Sequence, residues 1–231
     1  MIVLAIDTAG PNGSVALCEC GAGALARDCQ LIELVPLAGR TYSAQLMPQI
    51  AGLLARHKLD KRALDGYAAA SGPGSFTGLR VGLSTVKALA EVTQKPIAAV
   101  SLLEALAWAG ASDGQVIAAL DAMRGEVYVG EYVIHGNVVP KLLREVLMPV
   151  QEFAAEAQLG EPLRILTPDE SVASVLHARG LEVRVVPRPQ SDIIARIGAL
   201  KIAAGLVTSP DALDANYIRR SDAEIFSKGS S

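Results

Sequence analysis

The chain has 231 residues, about one and a half domains at roughly 150 residues each, which is enough to bury a substantial core. Hydrophobic residues make up 51% and charged residues 19%, and this excludes a disordered chain. With 21 basic against 24 acidic residues, a net charge of −3 and 4% aromatics, the composition gives no support to unaided phosphate gripping or to a base-stacking platform.

Residues 2–6 form a short apolar run that ends at Asp7 and a stretch dense in turn residues, 7–13. This opening reads as a first strand, not as a signal peptide. A second apolar run over 14–18 completes a predicted β-hairpin. No apolar run reaches the ~18–20 residues of a membrane span, so a cytoplasmic protein without membrane contact is expected. Cys18, Cys20 and Cys29 lie close together with no histidine nearby. They do not supply a zinc tetrad and read as ordinary thiols of a cytosolic protein.

A third strand is predicted over 30–35. A helix follows over about 43–57, with Leu46, Ile50, Leu53 and Leu54 on one stripe. Pro48 suits only the first turn of that helix, which leaves its start open. A buried strand at 67–70 runs into Ser71-Gly-Pro-Gly-Ser-Phe-Thr-Gly78 and a helix to about residue 92, followed by a strand at 96–100. Ser101 and Glu104 form a capping box for a helix through 109. The pattern then restarts. A strand at 116–120 ends at Asp121, a turn follows at 122–125, and a strand is predicted at 126–133. After a turn at 135–137, helices at 150–157 and 171–179 alternate with strands at 164–166 and 182–186. A last helix spans about 191–206, and the tail is expected to fray.

Two openings therefore share one design, an apolar strand ending in Asp before a tight turn, and the two aspartates are 114 residues apart. A duplicated architecture explains that spacing, against two unrelated hairpins as the alternative. Asp7 and Asp121 suit carboxylates at a cleft between lobes, holding Mg²⁺ or acting as a base, although their spacing alone favours turn caps. The loop at 71–78 enters a helix where free N–H groups favour an anion, with Ser71, Gly72, Gly74, Ser75, Thr77 and Arg80 as candidate contacts beside Asp7. It matches neither a P-loop nor a dinucleotide fingerprint, and a tight turn demanded by geometry explains its glycines equally well. Gly78, Gly82 and Thr85 share one helix face, with Leu79, Leu83 and Val86 on the adjacent stripe. Such faces serve packing inside the chain or an intermolecular seam. Arg124 and the Arg219-Arg220 pair beside Tyr217 are further candidate anion contacts. Three scattered histidines, His57, His135 and His177, offer no metal motif.

The segments 6–8, 14–17, 71–90, 101–107, 121–128 and 217–224 together resemble the TsaB (YeaZ) family, the dimerisation subunits of the bacterial tRNA threonylcarbamoyladenosine machinery. The resemblance implies an α/β, actin-like fold related to sugar kinases, Hsp70 and ribonuclease H. It would have an N-terminal lobe over 1–102, a reduced C-terminal lobe over 103–190, a last helix packing back on the first lobe, and a tail over 207–231. It also implies pairing with the catalytic paralogue TsaD, joined by the small ATPase TsaE, with tRNA contacted only through the complex and a homodimer when alone. The implied partner interface falls on Leu46, Ile50, Leu53, Leu54, Phe76, Gly78, Leu79, Gly82, Leu83 and Val86. No catalytic residue, cofactor or metal is implied. The catalytic paralogue carries a histidine pair on its first helix, and the stretch Thr41-Tyr-Ser-Ala-Gln-Leu46 has none. The alternatives are a stand-alone nucleotide-dependent phosphotransferase or peptidase using Asp7, and a homodimeric anion sensor.

Overall fold

The computed structural model describes residues 1–21, 29–37, 41–110, 113–136, 138–159, 164–216 and 218. The apolar hairpin at the start seeds the first sheet: β1 (Ile2–Asp7), β2 (Gly13–Glu19) and β3 (Gln30–Leu37) run antiparallel. Two further strands, β4 (Gly66–Gly72) and β5 (Ile97–Ser101), add parallel to β1, giving the order β3-β2-β1-β4-β5. The second sheet repeats this plan. Strands β6 (Gly114–Asp121), β7 (Glu126–Ile134) and β8 (Lys141–Pro149) are antiparallel, and β9 (Arg164–Thr167) and β10 (Val183–Val185) lie parallel to β6. Its order, β8-β7-β6-β9-β10, is the first sheet's order again. The fold is the duplicated two-lobe actin-like arrangement, each half a ribonuclease H-like sheet, and Asp7 and Asp121 end equivalent strands.

Helices cover both faces of the first sheet, as its parallel strands require. On one face, α2 (Phe76–Thr93) lies over β1 and β4, where the Tyr67 hydroxyl meets the Thr93 hydroxyl at 3.1 Å, and α1 (Tyr42–Arg56) packs beside it. The opposite face takes α6 (Ser191–Ala203), whose Gly198 sits so close to Ala68 that an added Cβ would lie 2.4 Å from that methyl. Over the second sheet, α4 (Val150–Leu159) and α5 (Glu170–His177) enclose a smaller core around Phe153 and Leu176. Between the sheets lies α3 (Leu102–Gly110), buried on every side from Leu102 to Trp108, as a helix apolar all round must be. Its capping box forms: Ser101 Oγ accepts the Leu103 N–H (3.2 Å) and Glu104 Oε2 accepts the Ser101 N–H (3.3 Å).

Three expectations are corrected. The chain over 141–149 is a full strand, β8, hidden from pattern reading because a bulge interrupts it: Glu131 pairs with Arg144 while Tyr132 pairs with Leu142. Pro48 lies inside α1, beyond its first turn. It withholds one N–H from the helix on an exposed face, where water can serve the unpaired carbonyl. Cys20 and Cys29 are not free thiols but form a disulfide, and Cys18 alone is free and buried. The β2–β3 register explains this, because Glu19 pairs with Gln30 and the next step places the two cysteines face to face, with Cα atoms 4.2 Å apart.

Candidate functional site

A cleft of about 680 Å³ opens between the lobes. The first lobe contributes Gly10, Tyr42 and the residues Gly74, Ser75, Thr77 and Gly78 at the start of α2; the second contributes Asp121, Met123 and Tyr128; and Arg188 reaches in from the segment before α6. The wall is tightly fitted. Ser75 donates its N–H to Ala9 O at 2.7 Å, the Thr8 hydroxyl donates to Gly78 O at 2.7 Å, and the Tyr42 hydroxyl donates to Gly10 O at 2.5 Å. Ser75 also caps α2, its Oγ accepting the Gly78 N–H at 3.3 Å.

This fit explains the glycines. A Cβ on Gly74 would lie 2.4 Å from Ala9 O, on Gly78 2.0 Å from Thr8 O, and on Gly82 2.4 Å from the Thr8 hydroxyl oxygen. The helix start is pressed onto the β1–β2 turn of the same chain. Of the two readings the sequence left open for the small residues on this face of α2, packing within the chain is the one realised.

The two aspartates do one job twice. Asp7 Oδ1 accepts the Ala9 N–H at 2.9 Å, and Asp121 Oδ1 accepts the Met123 N–H at 2.7 Å, so each carboxylate holds the turn that follows its strand. Asp121 also accepts from the Ser171 hydroxyl at 2.8 Å, while its own N–H donates to Asp169 Oδ2. Asp7 is buried and does not line the cleft. Burial pushes its carboxyl up to about 6, against the opposing pull of the Ala9 N–H and the Arg188 charge. Of the seven candidate anion contacts grouped with the 71–78 loop, Gly74, Ser75 and Thr77 face the cleft, whereas Asp7, Ser71, Gly72 and Arg80 do not, nor does Arg124 line it. Arg80 instead lies over the Phe76 ring, 3.8 Å from its centroid. Among the described residues, no three His, Cys, Asp or Glu side chains gather as a metal site would require. No described helix is long and apolar enough to cross a membrane. Arg219 and Arg220 lie outside the described residues.

The expected interface residues divide sharply. Leu46, Ile50, Leu53, Leu54, Gly78, Leu79, Gly82, Leu83 and Val86 are all buried in this chain, and only Phe76, 42% exposed, stands at the surface. Helical periodicity picked out the stripe facing the sheet, since apolar spacing marks the core side of a helix. The outer face is the opposite one. On α1 it carries Ala44, Met47, Pro48, Ala51 and Ala55, with Arg56 at its end, and on α2 it carries Thr77, Arg80, Ser84, Ala88, Glu91 and Val92. The α1 part of this face carries no charge before Arg56, where a solvent face ordinarily holds many, and the α2 part carries Arg80 and Glu91. Sequence reading missed this face, and it missed Arg188, whose only local signal is the rigid Pro187-Arg188-Pro189 context.

A family model described as "TsaD: tRNA N6-adenosine threonylcarbamoyltransferase" matches residues 35–184. The Bacillus subtilis tRNA threonylcarbamoyladenosine biosynthesis protein TsaB is 30% identical over 235 residues, covering 97% of this chain and 96% of that one. The Escherichia coli protein of the same name is 35% identical over 153 residues, which is 62% of this chain and 63% of its own length. Among solved structures, a Pseudomonas aeruginosa protein described as similar to peptidase YEAZ superposes with a TM-score of 0.75 at 24% identity, over 94% of this chain and 99% of that one. A second structure, described as YeaZ from Pseudomonas aeruginosa, gives 0.71 at 24% identity, over 93% and 100%. These two likenesses establish the shared fold.

Proposed function

The chain belongs to the TsaB (YeaZ) family, and from that premise we propose that it is a non-catalytic pairing subunit in tRNA threonylcarbamoyladenosine biosynthesis. It seats the threonylcarbamoyltransferase TsaD against the outer faces of α1 and α2. TsaE joins that pair, and tRNA is met through the assembly, since this chain is mildly acidic. Without TsaD, the same faces close on a second copy.

The observation that carries the reading is the outer surface of two adjacent helices, uncharged on α1 from Ala44 to Ala55 and apolar at Met47 and Val92, 49% and 66% exposed. Small exposed side chains at Ala44, Pro48, Ala51, Ala55 and Ala88 let a partner helix approach closely. The local tasks of both aspartates support a role without chemistry. Asp7 is walled off from the cleft, and Asp121 is engaged by Met123 and Ser171. Co-purification with TsaD from the same cell, together with loss of the tRNA modification on depletion, is the expected result. No co-elution and unchanged modification would refute it.

A second reading rests on Arg188 and the α2 N-terminus facing one cleft, which suits a nucleotide or another anion. Calorimetry of the isolated chain with ATP decides it, heat of binding supporting the reading and its absence removing it.

A further inference from the structure

Away from the cleft, the Glu145 carboxylate lies on the edge strand β8 of the second lobe. It takes donors from three separate parts of the chain. Ser101 Oγ, at the end of β5 in the first lobe, donates to Oε1 at 2.5 Å, and the Tyr132 hydroxyl on β7 donates to the same oxygen. Asn216 Nδ2, from the segment after α6, donates to Oε2 at 2.5 Å. Burial holds the Tyr132 hydroxyl far above its ordinary range, so it remains a donor. Beside this group, Lys201 Nζ joins Glu104 Oε2 (2.7 Å) and Ala99 O (2.9 Å), fixing α6 to the start of α3.

The segment that Asn216 ends is tied along its length. Thr208 donates its N–H to Ile97 O at 2.8 Å and makes a one-residue bridge on the outer edge of β5. Leu213 is fully buried. Asn216 donates its own N–H to Ser71 O at 2.7 Å, and its carbonyl lies 3.0 Å from where a Cβ on Gly72 would stand. The segment thus crosses from the first lobe's edge to the root of the 71–78 loop, and its far end is held by a second-lobe carboxylate.

We infer that Glu145 is an interlobe latch and that residues 206–216 are a strap it holds across the lobe junction. Opening the latch frees the strap from the Ser71 carbonyl and the β5 edge while both sheets stay paired. The inference concerns the chain alone and does not depend on the partner reading. The contacts carry it: the strap is bound to the first lobe by two backbone hydrogen bonds, Leu213 is buried and Ala215 packs against the core, and Glu145 adds the one charge-assisted side-chain contact from the second lobe.

Hydrogen exchange of the full-length chain tests this. In Asn216→Ala and in Glu145→Ala, the amides of Thr208 and Asn216 are expected to exchange at least about tenfold faster, with β1 and β6 amides within about twofold of wild type. Strap amides unchanged within about twofold in both variants would overturn the latch. So would strap and sheet amides accelerating together in both, since Glu145 would then belong to the global fold. Should Glu145→Ala fail to fold, Asn216→Ala decides alone, because it removes one strap contact and leaves the Ser101 and Tyr132 bonds in place.

Discussion

Replacing Gly78 by alanine tests how α2 is seated. The added methyl would stand 2.0 Å from the Thr8 carbonyl oxygen, a backbone atom that no rotamer change can move aside. Reaching an acceptable separation requires the helix start to retreat by about 1 Å. That shift stretches the 2.7 Å bond from the Thr8 hydroxyl to Gly78 O beyond hydrogen-bonding range and loosens the 2.7 Å Ser75–Ala9 contact. Overpacking costs about 1–3 kcal/mol and a lost buried hydrogen bond about 1 kcal/mol, so a loss of about 3 kcal/mol is expected. Urea unfolding followed through Trp108, the only tryptophan and a buried one, measures it. Gly52→Ala is the matched control. Its methyl meets only the tip of the Arg56 side chain at 3.3 Å, and alanine in a helix interior should stabilise by about 0.5–1 kcal/mol. A Gly78→Ala protein within about 0.5 kcal/mol of wild type would refute the seating of α2 on the β1–β2 turn.

Asp7→Asn should raise stability at pH 7–8 by up to about 3 kcal/mol and leave it little changed near pH 4. The folded-state value, about 6, lies above the ordinary 3.8, so the wild-type fold holds this proton and loses that stabilisation as pH rises through 6; unfolding curves at both pH values check the sign. Arg124→Gly should stabilise by about 0.5–1 kcal/mol, because Arg124 sits at φ 58° in the β6–β7 turn, a conformation that glycine adopts freely; a thermal melt reads it. Thiol titration of the unreduced chain should find no reactive cysteine when native, one after unfolding and three after unfolding with reduction. The Cys18 thiol is buried and pushed up to about 11, while Cys20 and Cys29 are paired.

Much of the architecture was legible because it rests on local pattern. The apolar runs ending at Asp7 and Asp121, each followed by turn residues, marked the duplicated hairpins, and the strands of both sheets grew from them. The 71–78 loop and the Ser101–Glu104 box announced α2 and α3 in the same way. What stayed hidden depends on register or on distant contacts. Strand β8 lost its alternation to a bulge, and the Cys20–Cys29 pairing follows only from the β2–β3 register. The stripe from Leu46 to Leu54 showed that α1 is amphipathic, but the same spacing could not say that this stripe is spent on the chain's own core. Arg188 and the three donors on Glu145 come together from distant parts of the chain, which no spacing rule reports.

Pairing through the outer faces of α1 and α2 is tested most directly by the affinity of the purified chain for TsaD, by calorimetry, before and after Ala51→Arg. Ala51 is exposed at mid-helix on α1, where an arginine should change folding stability by no more than about 0.5 kcal/mol. TsaD is expected to bind the wild-type chain and to bind Ala51→Arg at least about tenfold more weakly, since a charge and its bulk would enter a closely packed helix contact. Equal affinity for both chains, or no binding to either, would contradict it.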